Sequence, residues 1–226
     1  MEKGDDLMRP VIAILTAVTL CLGSGAALAA KSKCDYDRGK DKDKGFERAK
    51  DAKGKTRKGF YIDKFTDELI VETKWDAIGE GNTRGSVAAR TQGNDNFLKL
   101  AIVDSWSKKT FPTDDEVQNA FSILPGGELL IGMADGSVLT LYANDGAIAE
   151  TSYKTPKPRS SKPFWITSKA TVEYVLDARS QAALIATEAR AVRVMTDAGS
   201  LDIRIEGSDH DWVIQNAATC IAGGSK

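Results

Sequence analysis

The chain holds one histidine, His210, so any serine–histidine or cysteine–histidine catalytic system would have to use it. It stands in Ser208-Asp209-His210-Asp211 at the expected start of a helix, and no serine lies in a Gly-x-Ser-x-Gly elbow. One histidine, with Cys34 and Cys220 far apart, does not supply a conventional zinc set. Asp35, Asp37, Asp41 and Asp43 are spaced by two or four, as in a calcium loop. Laid on the EF-hand pattern, however, Lys40 falls where glycine is needed and Phe46 where the closing glutamate belongs. Gly79, Gly81 and Gly85 lack the lysine and helix of a phosphate loop, and no spacing of acidic residues marks an acid–base pair. These residues imply no catalytic set, no metal and no cofactor.

Residues suited to binding are better represented. Lys154 to Pro163 carries three prolines with Lys154, Lys157, Arg159 and Lys162, a composition that favours an extended basic loop. Of the four tryptophans, Trp75 and Trp212 are expected in the core of a small β domain. Trp106 and Trp165 border loops. With the four cations they form the candidate binding element.

The elements that would position such a surface follow a polarised plan. Arg9, an apolar run from Pro10 to Leu22 and the small residues Gly23 to Ala30 have the three parts of a secretory signal peptide. The acidic start Met1–Leu7 does not suit one, so translation is expected to begin at Met8, with residues 1–29 as leader. Cys21 follows the bulky Leu20, which argues against a lipidated cysteine. About 196 residues follow Ala30, enough for one domain with a core, and none of them forms an apolar run long enough to cross a membrane. Export would place Cys34 and Cys220 where disulfides form, and they are expected to pair.

Residues 31–58 contain twelve Lys or Arg against six Asp or Glu, a net of +6, which leaves −6 on residues 59–226 once the leader's −1 is set against the total of −1. So charged a segment cannot bury enough apolar surface to offset its ordering entropy, and residues 30–58 are expected as a flexible basic arm. A tail lying on its own acidic domain and a tether for an anionic surface both fit that asymmetry.

From residue 59 onward the pattern predicts a mainly β, α+β fold: antiparallel sheets packed in two layers, with two helices in the C-terminal third. Phe60–Lys64, Glu68–Trp75, Ser86–Thr91 and Phe97–Asp104 alternate as a meander, followed by a polar loop from Trp106 to Asp115 and a short helical turn capped by Asp114 or Asp115. Glu128–Tyr142 is expected as a hairpin with Asp135-Gly136 in a type I′ turn, pairing Met133 with Val138 and Ile131 with Thr140. Apolar residues on both its faces suggest a central pair. A strand to Tyr153 follows, and Phe164–Leu176 is expected in two pieces around Ser168-Lys169. Asp177 caps a helix to about Glu188.

Val192–Ile205 forms a second hairpin with one wet face. Its hydrophobic pattern selects an even loop, Ala198-Gly199 or Asp197 to Ser200, that pairs Val194 with Ile203. The last helix, capped by Ser208 or Asp209, carries the stripes Trp212/Asn216/Cys220 and Val213/Ala217/Ile221 and ends at Gly223-Gly224.

This ending, a hairpin and then a helix bearing a cysteine, resembles small envelope proteins of Gram-negative bacteria over about the last fifty residues. The resemblance implies a periplasmic address. The expectation is therefore an exported, non-enzymatic binding or accessory module for a protein or anionic envelope polymer, with nucleic acid not expected. A carboxylate-based hydrolase of envelope material and a carrier of small apolar ligands are the alternatives.

Overall fold

Alternation carries most of the architecture. In the computed structural model, which describes residues 34–36, 46–50, 53–118, 120–157, 162–205, 210 and 212–222, side chains one apart face opposite sides of long ladders. The expected leader and much of the expected arm lie outside the described residues.

The meander is β1 (Phe46–Lys50), β2 (Thr56–Asp63), β3 (Leu69–Glu72), β4 (Asp76–Ile78), β5 (Thr83–Gln92) and β6 (Asp95–Lys108). It is followed by α1 (Asp114–Gln118), β7 (Ser122–Ile123), β8 (Glu128–Met133), β9 (Val138–Tyr142), β10 (Ala147–Ile148), β11 (Glu150–Lys154) and β12 (Phe164–Val175). The C-terminal block is α2 (Ala178–Ala186), β13 (Ala189–Thr196), β14 (Gly199–Arg204) and α3 (Val213–Ala222).

The larger antiparallel sheet runs β1-β2-β3-β5-β6-β12-β11, with β4 also on β5, and the smaller runs β14-β13-β8-β9. Strands β7 and β10 pair separately. Leu98, Leu100 and Ile102 of β6 and Val172 and Tyr174 of β12 share one buried cluster with Leu129 and Ile131 of β8, Val192 and Val194 of β13 and Ile203 of β14. Helix α3 adds Val213, Ile214, Ala217, Ala218 and Ile221 to it, and α2 adds Leu184. A mainly β fold with antiparallel sheets and C-terminal helices is thus what the pattern specifies.

Six local expectations are corrected. Residues 46–50 and 56–58 of the expected arm are strand, in antiparallel pairing from Phe46↔Asp63 to Lys50↔Thr56. Composition hid this because β1 is an edge strand that keeps its charges outward while Ala49 joins Phe60, Val71 and Tyr36 in a satellite cluster. The expected loop from Trp106 is strand as far as Lys108. Thr113, not an aspartate, caps α1: its hydroxyl accepts from Glu116 N at 3.3 Å and the Glu116 carboxylate accepts from Thr113 N at 2.8 Å, a capping box.

β12 is one strand, since Ser168 in its middle is buried and its hydroxyl meets Thr151 Oγ1 at 2.8 Å. The β8–β9 hairpin slips by one residue: Ile131 pairs with Leu139 and Glu128 with Tyr142. A type I′ turn needs positive φ at both central residues, yet Gly136 has it (+84°) and Asp135 does not. The turn takes three residues instead, with Gly136 N donating to Met133 O at 3.0 Å. The slip leaves Val138 and Tyr142 outward on the outer strand β9, so this pair is not central.

The β13–β14 hairpin keeps its expected faces but shifts by two residues: Val194 pairs with Leu201 and Val192 with Ile203 around Asp197-Ala198. A shift of two preserves side-chain orientation, and Val192, Val194 and Ile203 are buried while Arg193 and Asp202 stay outside. What fixes Asp197 in the turn is β7. Its carboxylate accepts from Ser122 N at 2.7 Å and Ser122 Oγ at 2.6 Å, and its own N–H donates to Ser122 O.

Those Ser122 bonds hold the Asp197 carboxyl below its ordinary value of 3.8. Bonds from Arg193 do the same for Asp202, from Ser180 for the α2 cap Asp177, and from Ser137 for Asp135. A lowered carboxyl contributes stability that is complete above the unfolded value and is lost as pH falls through the folded one. The melting temperature should therefore be level from about pH 7 to 5 and fall below about pH 4. Thermal melts across that range check this, and a rise on acidification would contradict it.

Tyr174 is fully buried, and its hydroxyl has no hydrogen-bond partner among the described residues. Burial pushes its ionisation far above the usual tyrosine range. Because an unmade buried bond costs about 1–3 kcal/mol, Tyr174→Phe should be neutral or stabilising by about 1 kcal/mol in the denaturant midpoint. A loss of similar size would show that the hydroxyl has a partner.

Candidate functional site

At one end of the larger sheet β6 outruns β5. The β5 ladder ends at Thr83↔Asp104, Ser105 N donates to Asn82 O at 3.0 Å, and beyond this point β6 is paired with β12. There β12 opposes Trp106 with Ile166, Ser107 with Trp165 and Lys108 with Phe164, while β11 opposes Ile166 with Tyr153 and Trp165 with Lys154. Directly opposed residues share a face. Trp106, Ile166, Tyr153 and Phe164 therefore lie on one side of this three-stranded ribbon, and Trp165, Lys154 and Ser107 on the other.

Phe111 completes the first side. Its ring lies 5.3 Å from Tyr153 and 5.5 Å from Phe164, each at 75°, the edge-to-face geometry aromatic pairs favour. The loop that presents it is fixed at both ends. Lys108 Nζ donates to both Glu116 oxygens at 2.6 and 2.7 Å, and the same carboxylate closes the α1 capping box. Lys108 first, then Thr113, holds the Glu116 carboxyl below the usual glutamate range.

Although held, these rings are not covered: Phe111 is 60% exposed, Trp165 47% and Tyr153 39%. Lys109, Lys154, Lys157 and Lys162 are exposed around them, as are Asp114 and Asp115 of α1.

Of the residues singled out in the sequence, this end brings together Lys154, Trp165 and Trp106, with Lys157 and Lys162 at the loop's two flanks. Arg159 lies outside the described residues. The two tryptophans occupy opposite faces and so cannot line one groove. Phe111, Tyr153 and Phe164 were not singled out, because their grouping depends on cross-strand register and on the Lys108–Glu116 pair. Phe164 directly after Pro163 and Phe111 directly before Pro112 were the available signals.

The remaining candidates fall elsewhere. Trp212 is 46% exposed rather than core, because α3 begins at Val213 and buries the stripe from Val213 to Ile221. Trp75 is half-buried, its ring 5.5 Å from Lys99 Nζ. His210 Nδ1 donates to Ala77 O at 3.0 Å, which ties the approach to α3 to β4.

A carboxylate pair does exist on the outward face of the larger sheet. Lys99 Nζ lies 3.1 Å from Glu72 and 3.5 Å from Glu173, and Glu173 also meets Arg90 at 2.8 Å. Each carboxylate is held by a cation whose own side chain is largely buried, an arrangement that bridges strands β3, β5, β6 and β12. Among the described residues no group of three or more His, Cys, Asp or Glu is placed to hold a metal ion. The chain matches no protein-family model, no curated protein and no solved structure with which it was compared.

Proposed function

We propose that this chain is an exported, non-enzymatic binding or accessory module of the cell envelope, holding a protein or anionic polymer through the ribbon end of β6, β12 and β11. The observation that carries this reading is the exposure of Phe111, Tyr153 and Trp165 on a braced sheet end beside Lys154, Lys157 and Lys162. Rigid aromatics next to cations give contact area with little ordering cost and a preference for negative charge. An exported setting is supported by the Cys34–Cys220 bond and by the signal-peptide pattern of residues 8–30.

Phe65 supplies an internal control. It is 88% exposed in the β2–β3 turn, at the sheet end where Gly93 N bonds Leu69 O, away from Lys108. A photo-cross-linking residue placed at 111 or 165 in cells should give a discrete adduct, and one at 65 should not. Equal adducts from all three positions, or none from 111 and 165, would remove the ribbon end as the contact surface.

A further inference from the structure

We propose that β11 pairs with the β11 of a second copy of this chain, joining two larger sheets edge to edge about a two-fold axis beside Ser152. This pairing goes beyond the ribbon-end reading and does not depend on what Phe111 or Trp165 touches. Strand β11 ends the larger sheet, and among the described residues no strand lies on its outer side. An open edge is a template for another strand unless its sequence prevents pairing. At the opposite edge β1 prevents it: its register shifts between Arg48 and Lys50, and self-pairing would set Arg48 against itself. β11, in contrast, pairs with β12 without a shift from Glu150 to Lys154.

Backbone geometry selects the stretch and its register. On the outer side Ala149 N already donates to Phe121 O, and further along Pro156 has no N–H to give. Strand alternation turns the N–H and C=O of Thr151 and Tyr153 outward, as it does those of Ala149. Helix α1 and Phe111 are tied down over one face, through Lys108 on Glu116 and the Phe111 ring on Tyr153 and Phe164. Between the two limits the run Glu150–Lys154 is centred on Ser152.

Side chains fit that centre. Glu150, Ser152 and Lys154 share one face and are exposed, while Thr151 and Tyr153 share the other. Opposed residues must share a face, so a shift of one would mix the two. Centred on Ser152, Glu150 of each copy meets Lys154 of the other, twice by symmetry, at the closer spacing of about 4.5 Å between Cα atoms. Each Glu150 then lies between that lysine and Lys169 of its own chain, its partner on β12. On the other face Thr151 meets Tyr153, a β-branched and aromatic pair of the kind that stabilises neighbouring strands. So short a contact should give a weak, concentration-dependent dimer.

The test is sedimentation equilibrium of the full chain, in the form recovered from cells, from micromolar to millimolar concentration. Wild type should pass from monomer to dimer. E150K and K154E each bring like charges together at both contacts and should weaken dimerisation by about tenfold or more. An equimolar mixture of the two variants should restore it, because every contact then joins opposite charges, and that recovery would also show that both fold. S152C should form a reducible dimer on mild oxidation, since the Cα spacing suits a disulfide, and S200C on the smaller sheet should not.

A chain that stays monomeric at millimolar concentration would overturn the pairing. So would dimers that E150K and K154E leave unchanged, or a mixture of the two that stays monomeric. Capture of an extended peptide by a monomeric chain through this edge would overturn it as well, by giving β11 a different occupant. None of these outcomes alters the adducts expected at 111 and 165, which test the ribbon end separately.

Discussion

Reduction of the Cys34–Cys220 bond, or its removal by C34S/C220S, should lower stability by about 3–5 kcal/mol and the melting temperature by about 6–20 °C. The bond joins Cα atoms 5.4 Å apart across a separation of 186 residues. Closing so long a loop removes a large share of the unfolded chain's freedom, about 5 kcal/mol in the chain-entropy account, of which less is often realised.

Its local consequence is as specific. Cys220 is buried on α3, and the residues after Cys34 are stitched to the sheet: Asp35 O accepts from Lys74 N at 2.8 Å, Tyr36 bridges Thr73, and the Tyr36 hydroxyl reaches Cys220 O at 3.4 Å. The Tyr36 ring lies 5.1 Å from Phe60, which packs with Ala49 and Val71 in the small satellite cluster and carries the Arg57 guanidinium over its ring at 3.6 Å.

Loss of the bond should therefore raise hydrogen exchange in β1 and β2 well before β6 or β12, since the satellite cluster has few side chains of its own to hold it. Thermal melts with and without reductant, followed by exchange measurements on the double variant, check both parts. Equal melting temperatures for the oxidised and reduced forms would show that the attachment of residues 34–36 contributes nothing to stability.

This bond was legible from the sequence because only two cysteines follow the expected leader, and a compartment that permits disulfides leaves few ways to pair them. The long ladders were legible for a similar reason. Leu98, Leu100 and Ile102 on β6 alternate without interruption, so period two determines both the element and its buried face.

Register was harder, because it depends on turn geometry that composition does not specify. Asp135-Gly136 has the residues of a type I′ turn, but Ser137 gives Asp135 both its N–H and its hydroxyl, at 2.9 and 2.6 Å, in a three-residue loop. One residue of slip follows, and it sets Tyr142 opposite Glu128, with its ring outward. At Asp197 the deciding partner is Ser122, 75 positions earlier, which no local pattern contains. The ribbon end was half legible: its lysines and tryptophans stand out in composition, while the rings of Phe111, Tyr153 and Phe164 meet only once three strands and a capping box are in place.

Gly79→Ala should be among the most damaging single substitutions in the domain, costing roughly 2–4 kcal/mol. Two effects add. The residue has φ +68°, where a side chain brings backbone strain, and a Cβ built there would lie 2.5 Å from Ile203 Cγ2 and 2.9 Å from Arg204 O. Ile203 is fully buried in the main core and the other obstacle is backbone, so relief requires β14 to move.

That movement matters beyond the strand itself. Gly79 follows β4 on the larger sheet, and β14 is the outer strand of the smaller one, so this contact is where the two sheets approach along one border. Along the other, Ala143 bridges Tyr174 and Asn144 N donates to Glu173 O at 2.8 Å. Prising the first apart should leave the second in place and expose the core between Ile203 and Ile78.

Gly136→Ala separates the two causes. It has φ +84° with nothing within 4 Å of a built Cβ, so it carries strain alone and should cost about 1–2 kcal/mol. Denaturant midpoints of the two variants decide the matter. A G79A loss no larger than that of G136A would mean that β14 gives way without cost and that the close approach at Gly79 does not hold the sheets together.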